Sequence, residues 1–112
     1  MDFDRWPNLP AMLFDMAKRR GTAPFLVAKR DGAWVPIDWP TAVARISALA
    51  RALVAEGVRP GDRVVLVSEN RPEWVIADFA IMVAGGITVP AYTTNTAADH
   101  VHILSNSGAR AA

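Results

Sequence analysis

The chain contains no cysteine, which excludes disulfides, thiolate metal sites and cysteine nucleophiles, and is compatible with a reducing cytoplasm. It also lacks an excess of charge of one sign. Twelve basic residues stand against 11 acidic ones, a net charge of +1. A nucleic-acid binder needs a basic face to displace counterions, so no nucleic-acid partner is expected. Long hydrophobic runs are missing too. The longest, from Phe79 to Tyr92, is broken by Gly85, Gly86 and Pro90, and it falls short of the roughly 20 apolar residues of a membrane-spanning helix. The start, Met1-Asp2-Phe3-Asp4-Arg5, has no basic stretch followed by an apolar one, so no signal peptide is expected. Catalytic signatures are equally scarce: there is no G-x-x-x-x-G-K-[ST], G-x-G-x-x-G, G-x-S-x-G or H-E-x-x-H.

What is present reads as one packed α/β unit. Hydrophobic residues make up 52% of the 112, enough for a core and against disorder. Asn8 and Pro10 open a first helix with Leu9, Met12, Leu13, Met16 and Ala17 at helical spacing; Lys18, Arg19 and Arg20 suit its negative end, and Gly21 stops it. Phe25–Ala28 and Ala33–Ile37 flank Asp31-Gly32, a hairpin signal, and Pro36 marks an edge. Asp38 caps a second helix whose stripe is Val43, Ile46, Leu49, Ala50 and Leu53, with Arg45 and Arg51 beside it and Gly57 at its end. Val64–Val67 is a continuous apolar strand of the kind covered on both faces of a parallel sheet. Asn70-Arg71-Pro72-Glu73 reads as a capping box ahead of a nearly all-apolar helix from Trp74 to Ala84, broken only by Asp78. Gly85-Gly86 turns the chain into the strand Ile87–Val89. Thr94 or Thr96 then caps a last helix through Val101, Ile103 and Leu104 that ends at Gly108. Alternating helices and strands from Asp38 onward predict crossovers in a parallel sheet. Two such strands are too few to cover a helix as apolar as 74–84. The expectation is a partial doubly wound sheet, with an N-terminal helix and hairpin, that exposes apolar surface and unpaired strand edges.

Candidate chemical groups all have structural readings. His100 and His102, two apart on a helix, point to nearly opposite sides, and Asp99 with His102 is too small a set for a metal. Glu69, Glu73 and Asp78 could form an acid/base set, but Glu73 is accounted for as a capping acid, and Asp78 either as the partner of an arginine such as Arg63 or Arg71 or as a group facing a neighbouring part of a larger fold. Trp34, Trp39 and Trp74 read as core or edge packing residues, Lys18-Arg19-Arg20 as a solvated helix end, and Gly85-Gly86 as a helix stop. Tyr92-Thr93-Thr94 follows a strand end, where α/β sites often lie. No catalytic, cofactor-binding or metal-binding residue is assigned.

Several segments together resemble one family, the AMP-forming (adenylate-forming) acyl-CoA synthetases. Arg59-Pro60-Gly61-Asp62-Arg63-Val64 looks like the family's "pGDrV" turn and strand, and Asn70-Arg71-Pro72-Glu73-Trp74 like its "NrpEW", particularly in fatty-acyl members. Ala84-Gly85-Gly86-Ile87-Thr88-Val89-Pro90 is similar to "aGai.vP". Tyr92-Thr93-Thr94, Ile103-Leu104 and Ser107-Gly108-Ala109 resemble the stretch running to "sga". The family's usual Thr-Tyr-x-Glu-Leu reads Asp38-Trp39-Pro40-Thr41-Ala42 here.

The resemblance implies that residues 1–112 are the incomplete N-terminal part of the AMP-binding synthetase fold, most like long-chain fatty acid–CoA ligases. It implies ATP, Mg2+ and coenzyme A as the full-length family's cofactors and a fatty acid as substrate, joined through an acyl-adenylate. The family's phosphate loop, adenine-binding motif, ribose-binding Asp and catalytic Lys match nothing here, so the chain alone is expected to bind none of these and to be inactive. The matched positions are scaffold in the family. The remainder of a ligase fold is expected to cover the open sheet, in a cytoplasmic protein that meets membranes peripherally if at all. Two other readings stand beside this one: a non-catalytic interaction module derived from the same subdomain, and an unrelated small nucleotide-binding domain.

Overall fold

A computed structural model describes residues 3–112; the N-terminal reading involving Met1 and Asp2 lies outside the described residues. After a short 3-10 turn, Phe3–Arg5, the order is α1 (Leu9–Arg20), β1 (Pro24–Arg30), β2 (Ala33–Asp38), α2 (Trp39–Ala55), β3 (Arg63–Val67), α3 (Pro72–Val83), β4 (Ile87–Ala91) and α4 (Ala97–Ser107). β1 and β2 form an antiparallel hairpin, and β3 and β4 pair in parallel with Arg63 opposite Ile87 and Val67 opposite Ala91.

Local chemistry sets most of these limits. The Asn8 side chain accepts from the Ala11 N–H at 2.8 Å and the Asp38 carboxylate from the Thr41 N–H at 2.8 Å, each satisfying a donor left over at a helix start. Asp31 and Gly32 both take positive φ, 50° and 81°, the geometry of a two-residue turn that matches strand twist. α2 and α3 end alike. Gly57 N–H donates to the Val54 carbonyl and Val58 N–H to Leu53, while Gly85 N–H donates to Met82 and Gly86 N–H to Ile81. Both endings are Schellman motifs, with a glycine in the left-handed region closing the last turn.

The start of α3 differs from expectation. Its N-cap is Arg71, whose side chain makes no capping bond, and Asn70 is not the cap. Had Asn70 been the cap, Arg71 would have been the first helical residue, but the ring of Pro72 drives its predecessor into extended geometry. Arg71 accordingly has φ −153° and ψ 165°, and the helix begins one residue later, at Pro72. A full capping box forms instead at α4, where Thr96 Oγ1 accepts from the Asp99 N–H at 3.2 Å and Asp99 accepts from the Thr96 N–H at 2.9 Å.

α3 lies between two apolar clusters, which accounts for its almost uniformly apolar sequence. On one side Ile76 and Ala80 join Leu13, Ile46 and Ala50, with Phe25, Trp39, Leu53 and Phe79 around them. On the other Ile81 joins Val58 and Val64. Val64 and Val65 are adjacent and both buried, so β3 is covered on both faces there. The hairpin is held to this body by the Phe25 ring, 3.9 Å from that of Trp39, and by a Trp39 N–H to Ala23 carbonyl bond of 3.1 Å.

Apolar surface remains exposed. Trp34 is 70% exposed on the hairpin, which rules out the core among its two packing readings: its register partner is Lys29, whose ammonium sits 5.9 Å from the indole. Leu49, placed in the α2 stripe by spacing, is also exposed, and α4 buries no residue.

Two turns meet at the base of the parallel pair. The Gly61 N–H donates to the Gly85 carbonyl at 2.9 Å, and the Ile87 N–H to the Asp62 carbonyl at 2.8 Å. A Cβ on Gly85 would lie 3.2 Å from Pro60 Cα, and one on Gly86 3.2 Å from the Asp62 carbonyl. Gly85→Ala is therefore expected to cost at least about 1–2 kcal/mol, the left-handed penalty for a non-glycine residue, with the Pro60 contact adding to it. Chemical denaturation measures this; an unchanged midpoint contradicts the close approach. The same measurement separates the caps: Thr96→Ala is expected to cost about 1 kcal/mol and Asn70→Ala nothing resolvable.

Candidate functional site

The segments that leave the carboxyl ends of β3 and β4 diverge and leave a cleft of about 520 Å³ lined by Ser68, Glu69, Asn70, Trp74, Pro90, Ala91, Tyr92, Thr93 and Thr94. Such crevices outside strand carboxyl ends are where open α/β sheets bind ligands. Its walls are the half-buried Trp74 and the 78% exposed Tyr92; its polar groups are hydroxyls, an amide and the Glu69 carboxylate. The Ser68 hydroxyl donates to the Glu69 carbonyl at 3.0 Å, so it is used locally. The arrangement offers aromatic faces and hydrogen bonds, without a base poised on a nucleophile. Tyr92-Thr93-Thr94 was singled out by its place after a strand. Ser68, Asn70 and Trp74 were not grouped with it, since nothing short of the register of β3 on β4 brings them together.

The other singled-out residues lie elsewhere. Glu73 sits at the hairpin side of α3, with an oxygen 2.6 Å from Arg30 Nη2 and its second oxygen 3.5 Å from Arg71 Nε. This is an ion-pair clamp between elements 43 residues apart, in place of the expected capping bond. Asp78 pairs with neither Arg63 nor Arg71. Arg63 donates to the Ser107 carbonyl at 2.7 Å and Arg71 faces Glu73, so both were committed elsewhere. Glu69, Glu73 and Asp78 thus form no acid/base set. Asp99 is held in the α4 capping box beside the half-buried His100, while His102 is exposed. Among the described residues no group of three or more His, Cys, Asp or Glu could hold a metal ion, and no helix is long and apolar enough to cross a membrane.

Three carboxylates have lowered pKa values, and all three stand at helix starts. Asp38 is held down by hydrogen bonds from the Thr41 hydroxyl and N–H, and Asp99 by the Thr96 N–H and hydroxyl. Glu73 is lowered first by its own backbone N–H and then by Arg30 and Arg71, against an opposing desolvation. Strongly perturbed groups often mark catalytic sites, but these three lie outside the cleft and do structural work. Because each is depressed in the folded state, the stability it contributes is complete above its ordinary value, 3.8 or 4.5, and is lost as pH falls through the lower folded value. Glu73→Gln is expected to lower stability at pH 7 by about 0.2–1 kcal/mol, the range for exposed pairs, and to make the loss of stability between pH 5 and 3 shallower. Urea melts across that range check it; an unchanged pH slope contradicts the clamp.

Residues 13–112 match the family described as AMP-binding enzyme, and the chain belongs to that family. Among curated proteins it is 38% identical over 104 residues to the long-chain-fatty-acid–CoA ligase FadD15 of Mycobacterium tuberculosis, covering 91% of this chain and 17% of that protein. The chain thus spans about a sixth of that relative's length. Among solved structures, a fatty acid AMP ligase from Legionella pneumophila superposes with a TM-score of 0.86 at 22% identity, over 96% of this chain and 19% of that one, a likeness of fold. The N-terminal subdomain of Klebsiella oxytoca NpsA in complex with 3-hydroxybenzoyl-AMSN superposes with a TM-score of 0.80 at 25% identity, over 91% of this chain and 25% of that one. The architecture is the α/β N-terminal subdomain of adenylate-forming enzymes, as the motifs implied.

Proposed function

We propose that residues 1–112 form the N-terminal, incomplete part of a long-chain fatty acid–CoA ligase, and that this part acts as scaffold and does no chemistry alone. The observation that carries the reading is the 38% identity to such a ligase along 91% of the chain, combined with coverage of only 17% of that ligase. The reaction is the joining of a fatty acid to coenzyme A through an acyl-adenylate, at the expense of ATP with Mg2+.

The residues present do not fit those cofactors. The starts of α1, α2 and α4 are occupied by their own capping side chains. No carboxylate cluster suits Mg2+ among the described residues. No catalytic step is therefore assigned to this chain. Its contribution to the parent enzyme is the parallel pair and the cleft beyond it, whose Trp74 and Tyr92 form one wall of a site completed by other parts of the protein.

The test is acyl-CoA formation from ATP, Mg2+, palmitate and coenzyme A, assayed with the 112-residue chain and with the longest native product that an antibody to this segment detects. No turnover is expected from the chain and turnover from a longer product; acyl-adenylate made by the chain alone overturns the scaffold reading. The exposed apolar residues and open strand edge also favour a second reading, an interaction module that works at its own 12.1 kDa. A native band at that mass, with no longer product, supports it instead.

A further inference from the structure

The segment ahead of α1 is tied down by one carboxylate. Asp15, on the second turn of α1, accepts the Trp6 indole N–H at 2.9 Å and the Arg19 Nε–H at 3.0 Å on the same oxygen, Oδ2, and Arg5 Nη2 stands 3.9 Å from it. The Arg5 guanidinium lies 5.4 Å from the centre of the Trp6 ring, within cation–π reach. Arg19 follows Asp15 by four residues, the spacing and order in which an acid and a base steady each other on a helix. The carboxylate is thereby held ready for the indole.

The path back to it is stretched. The rise of α1 from Leu9 to Asp15 is about 9 Å, and the chain from Trp6 to Leu9 reaches about 10 Å when extended. Residues 6–8 therefore run back along α1 in extended form, and Asn8 is extended, with φ −162° and ψ 171°. Little else holds this piece. Among the described residues, no backbone hydrogen bond joins 3–7 to β1, β2 or any later element, and Trp6 belongs to neither apolar cluster.

We propose that residues 3–7 form a strap that docks on α1 and lifts off it as a unit while the body stays folded, with Asp15 as the latch and Trp6 as the group it holds. Segments with few apolar contacts and no ladder of backbone bonds are the ones that open locally. The closed strap shields the peptide bond between Arg5 and Trp6, so the latch decides whether a protease specific for basic residues can remove the N-terminal segment. The inference rests on these side-chain contacts and not on the ligase reading.

The test is limited trypsin digestion of the longest native product that carries this segment, with the fragments identified by mass. Cleavage after Arg5 reports the strap, and cleavage after Arg51, inside α2, reports unfolding of the body. Each rate after Arg5 is divided by that of a peptide of residues 1–12 with the same residue at position 6. Cleavage of a transiently open segment follows its open population. Asp15→Ala is expected to raise the normalised rate after Arg5 by at least about tenfold, since hydrogen bonds to a charged acceptor are the strong ones, and to leave cleavage after Arg51 unchanged. Trp6→Phe keeps a ring and loses only the indole N–H; it is expected to raise the same rate by at least about threefold. If Asp15→Ala unfolds the body, so that both cuts accelerate, Trp6→Phe decides. An unchanged rate after Arg5 in either variant with the body intact overturns the proposal, as do cuts after Arg5 and Arg51 that rise in proportion in both variants. So does a wild-type rate after Arg5 equal to that of the peptide, which means that the strap does not dock.

Discussion

The rest of this structure depends on how closely two turns approach beneath the parallel strands. The Gly61 N–H meets the Gly85 carbonyl, the Ile87 N–H meets the Asp62 carbonyl, and neither Gly85 nor Gly86 has room for a Cβ without pushing on the opposite backbone. That contact sets the register of β3 on β4 and returns the chain from α3 at the right height. It also fixes how far apart the segments after Val67 and Ala91 emerge. The Asp62 carboxylate tightens the first turn by accepting from the Arg59 N–H at 2.8 Å. Two of the motifs that carried the family resemblance, those at 59–64 and 84–90, are therefore parts of one clamp. Because the clamp is mostly backbone against backbone, it tolerates wide change in side chains, consistent with a TM-score of 0.86 at 22% identity.

Above the clamp, α3 is the slab on which everything else rests. One face meets α1 and α2 and the other meets the sheet, so a polar residue has little place along it. Polar work is concentrated at the helix starts, where Asn8, Asp38, Glu73 and Thr96 with Asp99 each satisfy donors or an arginine. The perturbed carboxylates of this chain accordingly belong to the ends of helices.

Much of this was legible in the sequence because the signals were local. Asn8, Asp38 and Asp31-Gly32 dictate their own neighbourhoods, and the uninterrupted apolar run of β3 announces a strand covered on both sides. The α3 start was misread because a capping pattern was weighed without the proline inside it, and a steric rule outranks a hydrogen-bond pattern. Trp34 stays open because it lines a groove between the hairpin and the start of α3 and is not packed into the core, which spacing cannot reveal. The cleft was half legible. Tyr92-Thr93-Thr94 followed a strand end, but joining it to Ser68, Asn70 and Trp74 needed the register of strands separated by a whole helix. Arg63 was one of two arginines offered to Asp78, when a carbonyl at the end of α4 lay within its reach.

That last contact bears on how the chain is made. Arg63 grips the Ser107 carbonyl, 44 residues further along, an interval the ribosome takes roughly 2–9 s to synthesise. β4 is made within this interval, so one edge of β3 can pair before its anchor on α4 exists. A valine-rich strand with one unoccupied edge must wait, which makes it a natural stretch for a holding chaperone to cover.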